Sequence, residues 1–324
     1  MARLTERRAR RTLVGPMSSA PPRRLVALAL AAVYVAWGST YLAIRVGVGH
    51  LPPTVLAGLR FLVAGGAMLA ALAAAGRLAP TSRREKRAIA LIAFAMLIGG
   101  NGLVVWAEQS VPSGLAALVV ATVPIWMAGL AALPPARERL PAAAVAGILL
   151  GFAGVAVLAR PSAGGDFAGT FALLVASFSW SCGSIYARHA GIRADPVTVT
   201  AWEMLFAGVM FLAIGTATGG VFAARLDAAG LAAIAYLVVV GSWIGFTAYV
   251  WLLANVPAAQ AATYAYVNPV IALLLGWWLL DEPITPAILV GSAIVVVAVA
   301  LVTTARVPAR RPAGSVVDPV DAPA

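Results

Sequence analysis

Ten apolar runs, each long enough to cross a bilayer as a helix, dominate the chain. They cover roughly residues 25–46, 54–75, 88–107, 113–133, 142–159, 168–187, 197–217, 229–252, 258–280 and 285–304. A helix needs about 20 apolar residues to span the hydrocarbon. Only helices and closed barrels satisfy their backbone polar groups there. The first run is too long for the apolar region of a secretory signal, and nine more follow it, so it reads as a span. The links are short and leave no room for a soluble domain. The fold class is therefore an all-α integral membrane protein.

Composition agrees. The chain is 62% hydrophobic and 11% charged, with a mean hydropathy of +0.93. Soluble domains run near 45–50% apolar and about a quarter charged. A soluble enzyme, a nucleic-acid-binding domain and a disordered regulator are excluded as readings of the whole chain. Residues 1–24 and 305–324 read as disordered tails, and Met17 is an alternative start.

The net charge of +11 is a topology signal. With the N-terminus placed in the cytoplasm, nineteen basic residues fall inside: seven in the N-terminal tail, Arg77, Arg83, Arg84, Lys86, Arg87, Arg137, Arg139, Arg188 and Arg193 in loops, and Arg306, Arg310 and Arg311 in the C-terminal tail. Only Arg160 and Arg225 fall outside, and Arg45 and Arg60 lie within spans. Such an asymmetry fixes orientation, so both termini are expected in the cytoplasm of a multi-pass inner- or plasma-membrane protein. The same asymmetry accounts for the basic charge without nucleic acid, which is not expected as a partner.

The chain repeats itself. An offset of 143 places Trp37 on Trp180, Arg45 on Arg188, Pro53 on Pro196 and Gly65 on Gly208. An offset of 145 places Trp106 on Trp251, Val111-Pro112 on Val256-Pro257 and Pro124 on Pro269. At 144, Glu138 meets Glu282 and Gly147 meets Gly291. The expected repeats are residues 25–160 and 161–304, with five spans each. An odd number of spans inverts the second repeat, an arrangement typical of secondary transporters.

Several segments together resemble the EamA family of the drug/metabolite transporter superfamily. They are Ala36-Trp37-Gly38-Ser39-Thr40, Leu59-Arg60-Phe61, Val123-Pro124, Arg137-Glu138-Arg139-Leu140 and Asp281-Glu282-Pro283. Residues 101–124 and 263–276 are similar to its YedA-like branch. The resemblance covers about residues 25–304 and implies export of a small metabolite or drug, typically by proton antiport or exchange. Fold alone does not name the cargo.

Ionisable groups inside a bilayer are costly and point to function. Glu203 and Arg60 occupy equivalent positions, each about 9 Å deep at 1.5 Å per residue, but enter from opposite faces. No direct salt bridge is expected between them. A lone carboxyl in hydrocarbon is cheaper neutral than charged, which makes Glu203 the candidate proton carrier; holding a neighbouring helix is its structural alternative. Arg60 either binds an anionic group or buttresses its span. Arg45 and Glu108 end spans at one level, as a gate or as separate helix anchors.

Polar and aromatic residues recur at helical spacing: Trp37, Thr40 and Tyr41; Trp180 and Ser184; Asn101 with Glu108; Tyr264 and Asn268. Each set shares a helix face, and a polar face turns to protein or a water-filled cavity rather than lipid. Trp37, Thr40, Tyr41, Asn101, Trp180, Ser184, Tyr264 and Asn268 are the candidate substrate-cavity residues, with simple packing as the alternative for each aromatic. Pro124 and Pro269 sit within spans as hinge candidates or static kinks. Gly147, Gly151 and Gly154 have the small-xxx-small spacing of close helix packing.

No cofactor or metal is expected. His50 and His189 fall in opposite loops, and Cys182 is alone. There is no ATP-binding motif, no zinc-protease motif and no nucleophile–base pair, so neither a primary pump nor a membrane enzyme is expected. The expected partners are a small-molecule substrate, protons and membrane lipids. An uncoupled exchanger or facilitator, or a lipid-linked flippase of the same fold, is the alternative to proton-coupled export.

Overall fold

The computed structural model describes residues 22–133, 140–160, 166–256 and 263–304. The helices are α1 (Arg23–Val48), α2 (Pro53–Ala74), α3 (Arg83–Ala107), α4 (Ser113–Val120 continued by Val123–Ala131), α5 (Ala142–Leu158), α6 (Phe167–His189), α7 (Pro196–Ala217), α8 (Ala228–Tyr236 through Gly245–Asn255), α9 (Tyr264–Leu280) and α10 (Pro286–Thr304). By length and composition eight can cross a membrane, and Ala142–Leu158 and Val267–Leu280 are shorter apolar helices. Together they give the expected ten-helix plan. Residues 1–21 and 305–324 of the tails, the Arg137-Glu138-Arg139 segment and Pro257 lie outside the described residues, and Arg23 and Arg24, expected in the first tail, belong to α1.

Helix starts follow the local chemistry. Pro22, Pro52, Pro112 and Pro141 stand at extended backbone just before α1, α2, α4 and α5, where a fixed φ and a missing N–H cost nothing. Asp166, Asp195 and Asp227 cap α6, α7 and α8 by accepting from Gly169, Thr198 and Gly230 N–H at 3.0, 3.0 and 2.8 Å. Such caps satisfy donors that a helix start leaves open. Ser82 and Glu85 form a capping box, so α3 begins at Arg83 rather than at 88 as expected. Its polar first turn precedes the apolar span.

Two spans are not uniform. Residues Phe94–Gly102 in α3 and Leu237–Ile244 in α8 are π-helical, and the 145-residue offset makes these segments overlap. A π segment widens the helix and leaves carbonyls available to other donors. Span four, expected as one helix over 113–133, breaks at Ala121–Thr122, just before Pro124. Pro269, by contrast, lies inside continuous α9.

Equivalent helices of the two halves pack on one another. At the α2–α7 crossing, a Cβ on Gly65 would lie 2.7 Å from the Ala201 carbonyl oxygen, and one on Gly208 would lie 2.6 Å from Leu62 Cα. At the α5–α10 crossing, Gly147 meets the Ala298 backbone and Gly154 meets Ile294 and Val295. Without a side chain between them the backbones approach closely, which is how apolar helices associate in lipid. These two pairs flank a central group of α1, α3, α4, α6, α8 and α9. Large apolar side chains such as Leu149 and Trp278 remain 67% and 71% exposed on the outside, as lipid-facing residues do.

Candidate functional site

The central helices enclose a cavity of about 570 Å³. Trp37, Thr40, Tyr41, Asn101, Trp180, Tyr264 and Asn268 line it, together with Arg60, Pro124 and Pro269. Eight residues were expected in its wall, and seven stand there. Ser184 does not: its hydroxyl donates to the Trp180 carbonyl of its own helix at 2.8 Å. Glu203, Arg45 and Glu108 are also outside the lining.

One wall is aromatic. Around Trp37 stand Phe246, Tyr249 and Tyr264, with ring centroids at 5.3, 5.0 and 5.0 Å. Tyr249 and Tyr264 meet edge to face at 5.6 Å. The Trp37 indole N–H donates to the Gly241 carbonyl at 3.2 Å. That carbonyl belongs to the π segment of α8, so the widened turn fixes the indole.

The polar groups are of two kinds. Thr40 is satisfied within α1, donating to the Trp37 carbonyl at 2.6 Å. The side-chain oxygens of Asn101 and Asn268 are buried and accept nothing. Buried polar atoms normally find partners, and these two, on residues that line the cavity, have none. Pro124 and Pro269 add a backbone feature. Each lacks the N–H that would reach the carbonyl four residues earlier, on Val120 and Ala265, and both of those residues line the cavity.

Arg60 is 4% exposed. Its Nε donates to Ser242 at 3.3 Å, and its guanidinium lies 4.7 Å from the Phe61 ring centre. Nη1 has no partner. No ion pair joins it to Glu203. That residue sits half-buried on α7 with no hydrogen bond to a described residue. The two charged groups stay apart, as their opposite entry faces imply.

The two ends of the bundle differ. At the end where α1 finishes, Arg45 donates to the backbone carbonyl of Glu108, not to its carboxyl group. Both carboxyl oxygens of Glu108 are buried without partners. Arg45 and Glu108 therefore meet, but not as an ion pair. Ser110 donates to Asp166 at 2.7 Å, and His50 pairs with Asp227 at 2.6 Å. Glu282 accepts from Ser113 N, Ser113 Oγ and Gly114 N at 2.8, 2.9 and 3.2 Å. Asp281 adopts a left-handed backbone, φ 53°, which turns the chain so that Glu282 reaches back to α4. At the opposite end the cavity reaches exposed Arg188 and half-buried Thr303. Arg188, expected in a loop, is in fact part of α6.

Sequence reasoning missed Phe246, Tyr249, Met127, Ser177, Arg188 and Thr303 in the lining. The repeat held the signal for two of them: 145 residues separate Asn101 from Phe246 and Val104 from Tyr249. Among the described residues no cluster of three potential metal ligands occurs.

The description "EamA-like transporter family" matches residues 24–160 and again 167–304. The chain belongs to this family. The double match places one family unit on each half. The chain is 40% identical over 283 residues to the uncharacterized inner membrane transporter YedA of Escherichia coli K12, covering 86% of this chain and 90% of that one. It is 27% identical to the uncharacterized transporter YvbV of Bacillus subtilis, over 87% and 93%. It is 28% identical to a probable amino-acid metabolite efflux pump of Salmonella typhimurium, over 81% and 89%. One solved structure, titled only as a protein crystal structure, superposes with a TM-score of 0.60 at 22% identity, covering 85% of this chain and 95% of that one. The chain is thus a membrane-embedded transporter of this family.

Proposed function

We propose that this transporter exports a small metabolite or drug across the inner membrane by alternating access, in exchange for protons. The observation that carries the reading is the cavity itself. It is walled by equivalent positions of the two halves: Trp37 with Trp180, Asn101 with Phe246, Val104 with Tyr249, Val120 with Ala265, and Pro124 with Pro269. Two units in opposite orientation around one cavity can exchange conformations, closing one mouth as the other opens. The polar ties where α1 finishes and the exposed Arg188 where α6 finishes correspond to an inward-open state, with both termini cytoplasmic. The efflux-pump name of the Salmonella relative supports export.

In this reading Glu203 carries the proton. It is a carboxyl six residues or more inside a span with no hydrogen-bond partner among the described residues; Glu108, whose buried carboxyl is also unpartnered, lies at the end of its span beside Arg45. One observation favours an uncoupled exchanger instead: among the described residues no carboxyl group lines the cavity. Everted membrane vesicles separate the two. Amino acids, purines, sugars and cationic drugs are added to wild type and Glu203→Gln, and collapse of the proton gradient is followed. Antiport through Glu203 predicts collapse by one class in wild type only. Equal collapse in both removes Glu203 from the coupling path. Exchange of cargo without collapse establishes the uncoupled reading.

A further inference from the structure

We infer that the cargo is a net-anionic amphipathic molecule whose acidic head pairs with Arg60. This rests on the transport reading above and names the chemical class that the same cavity takes.

The argument starts from charge. Among the described residues the cavity wall carries Arg60 in its depth and Arg188 at its mouth, and no acidic side chain. Arg60 is 4% exposed, and among the described residues no carboxylate pairs with it. Among the described residues its one side-chain hydrogen bond runs from Nε to the neutral Ser242 hydroxyl at 3.3 Å. The Phe61 ring offers a weak face contact, 4.7 Å from the guanidinium carbon. Nη1 is left without any acceptor. An arginine stays protonated in a protein, and a buried unpaired charge is strongly unfavourable. A guest that brings its own anionic oxygen relieves that cost. The guanidinium fork is shaped for carboxylate, phosphate or sulfonate.

The approach to Arg60 is built. Gly241 stands beside it: a Cβ there would lie 3.2 Å from Nη2. The glycine lets the guanidinium settle against the π segment of α8, where Arg60 is one of the residues lining the cavity. Arg188 at the mouth adds a second positive charge along the entry route, which draws anions inward.

The rest of the wall selects the body of the guest. Trp37, Phe246, Tyr249 and Tyr264 form an apolar aromatic surface. Asn101 and Asn268, both in the lining, hold unpartnered acceptors whose chemistry suits a hydroxyl or amide N–H on the guest. A cation of similar size would bind the aromatic wall by its charge, but it would meet Arg60 and Arg188 with no carboxylate between.

The test uses the full chain in lipid nanodiscs and matched probes with one aromatic body. Phenylacetate, 3-phenylpropionate and phenyl phosphate are compared with neutral phenylacetamide, cationic phenethylamine and zwitterionic phenylalanine. Intrinsic tryptophan fluorescence and the shift in Tm report binding. The expected result is at least tenfold tighter binding of the acids than of the amide, the amine or phenylalanine. Arg60→Gln is expected to lose that preference, while Arg60→Lys keeps the acid preference with weaker binding. If Arg60→Gln fails to fold, the wild-type ranking and Arg60→Lys still decide. Equal or tighter binding of the amine, the amide or phenylalanine overturns the inference, as does an acid preference that survives Arg60→Gln. Absence of acid binding also overturns it. Counterflow of any probe in proteoliposomes, whatever its charge, leaves the transport reading standing when the anion preference fails.

Discussion

Replacing Glu282 by alanine is expected to destabilise the bundle by about 2–4 kcal/mol. The carboxylate of Glu282, in the link between α9 and α10, accepts from Ser113 N, Ser113 Oγ and Gly114 N. Its removal leaves two backbone donors and a hydroxyl at the start of α4 without their acceptor. Hydrogen bonds to a charged group net about 1.5–3 kcal/mol each, and they are not additive when one group makes several. A negative charge at a helix start adds about 0.3–1 kcal/mol. Glu282 is only half-buried, so water relieves part of the loss and the total falls below the sum. Glu282→Gln keeps one acceptor oxygen and is expected to lose roughly half as much. Reversible unfolding in mixed micelles measures both variants. A double-mutant cycle with Ser113→Ala is expected to show coupling of about 0.5–3 kcal/mol, because the two residues share one network. A loss below about 1 kcal/mol for Glu282→Ala, or strict additivity with Ser113→Ala, would refute the cap.

Three further outcomes follow from the same packing and bonding. Gly208→Ala puts a Cβ 2.6 Å from Leu62 Cα and is expected to cost about 1–3 kcal/mol or more by overpacking; the same unfolding assay reads it. Asn268→Leu removes a buried acceptor that has no partner, so stability is expected to hold or rise while cargo binding falls, as read by melting alongside counterflow. Asp227 lies outside the spans, where the Gly230 N–H and then the His50 ring hold its carboxyl below the usual range. That stabilisation is present above the unfolded value near 4 and is lost as pH falls through the lower folded value. A melting series below pH 5 should therefore fall less steeply for Asp227→Asn than for wild type.

Much of this arrangement was legible in the residues. The hydrocarbon thickness forces ten runs into ten helices, and a two-residue drift over the repeat pairs the halves. Helical spacing put Trp37, Tyr41, Asn101, Tyr264 and Asn268 on faces that cannot meet lipid, and each lines the cavity. What escaped was backbone irregularity. No pattern in residues 94–102 or 237–244 marks a π segment, because its geometry comes from tertiary packing rather than from local preference. Phe246 and Tyr249 were hidden for a related reason: an aromatic in an apolar run looks the same whether it faces lipid or cavity. Ser184 was misplaced because sharing a face with Trp180 does not fix depth; the hydroxyl turned back to its own helix. Arg45 and Glu108 were rightly put at one level, but the choice of a backbone carbonyl over a carboxyl oxygen depends on rotamers that sequence does not carry.

Two cysteine substitutions in a Cys182→Ser background test the central claim most directly. Ile44 lines the cavity near the tied end of the bundle and is 2% exposed, and Met127 lines it toward the open end. A membrane-impermeant thiol reagent is applied to one face of the membrane at a time, in right-side-out and everted vesicles. Alternating access through this cavity predicts that Met127→Cys reacts from the cytoplasmic face, and that Ile44→Cys reacts from the periplasmic face in the same preparation. Labelling of Ile44→Cys from the cytoplasmic face alone would mean a blind pocket and would contradict the account.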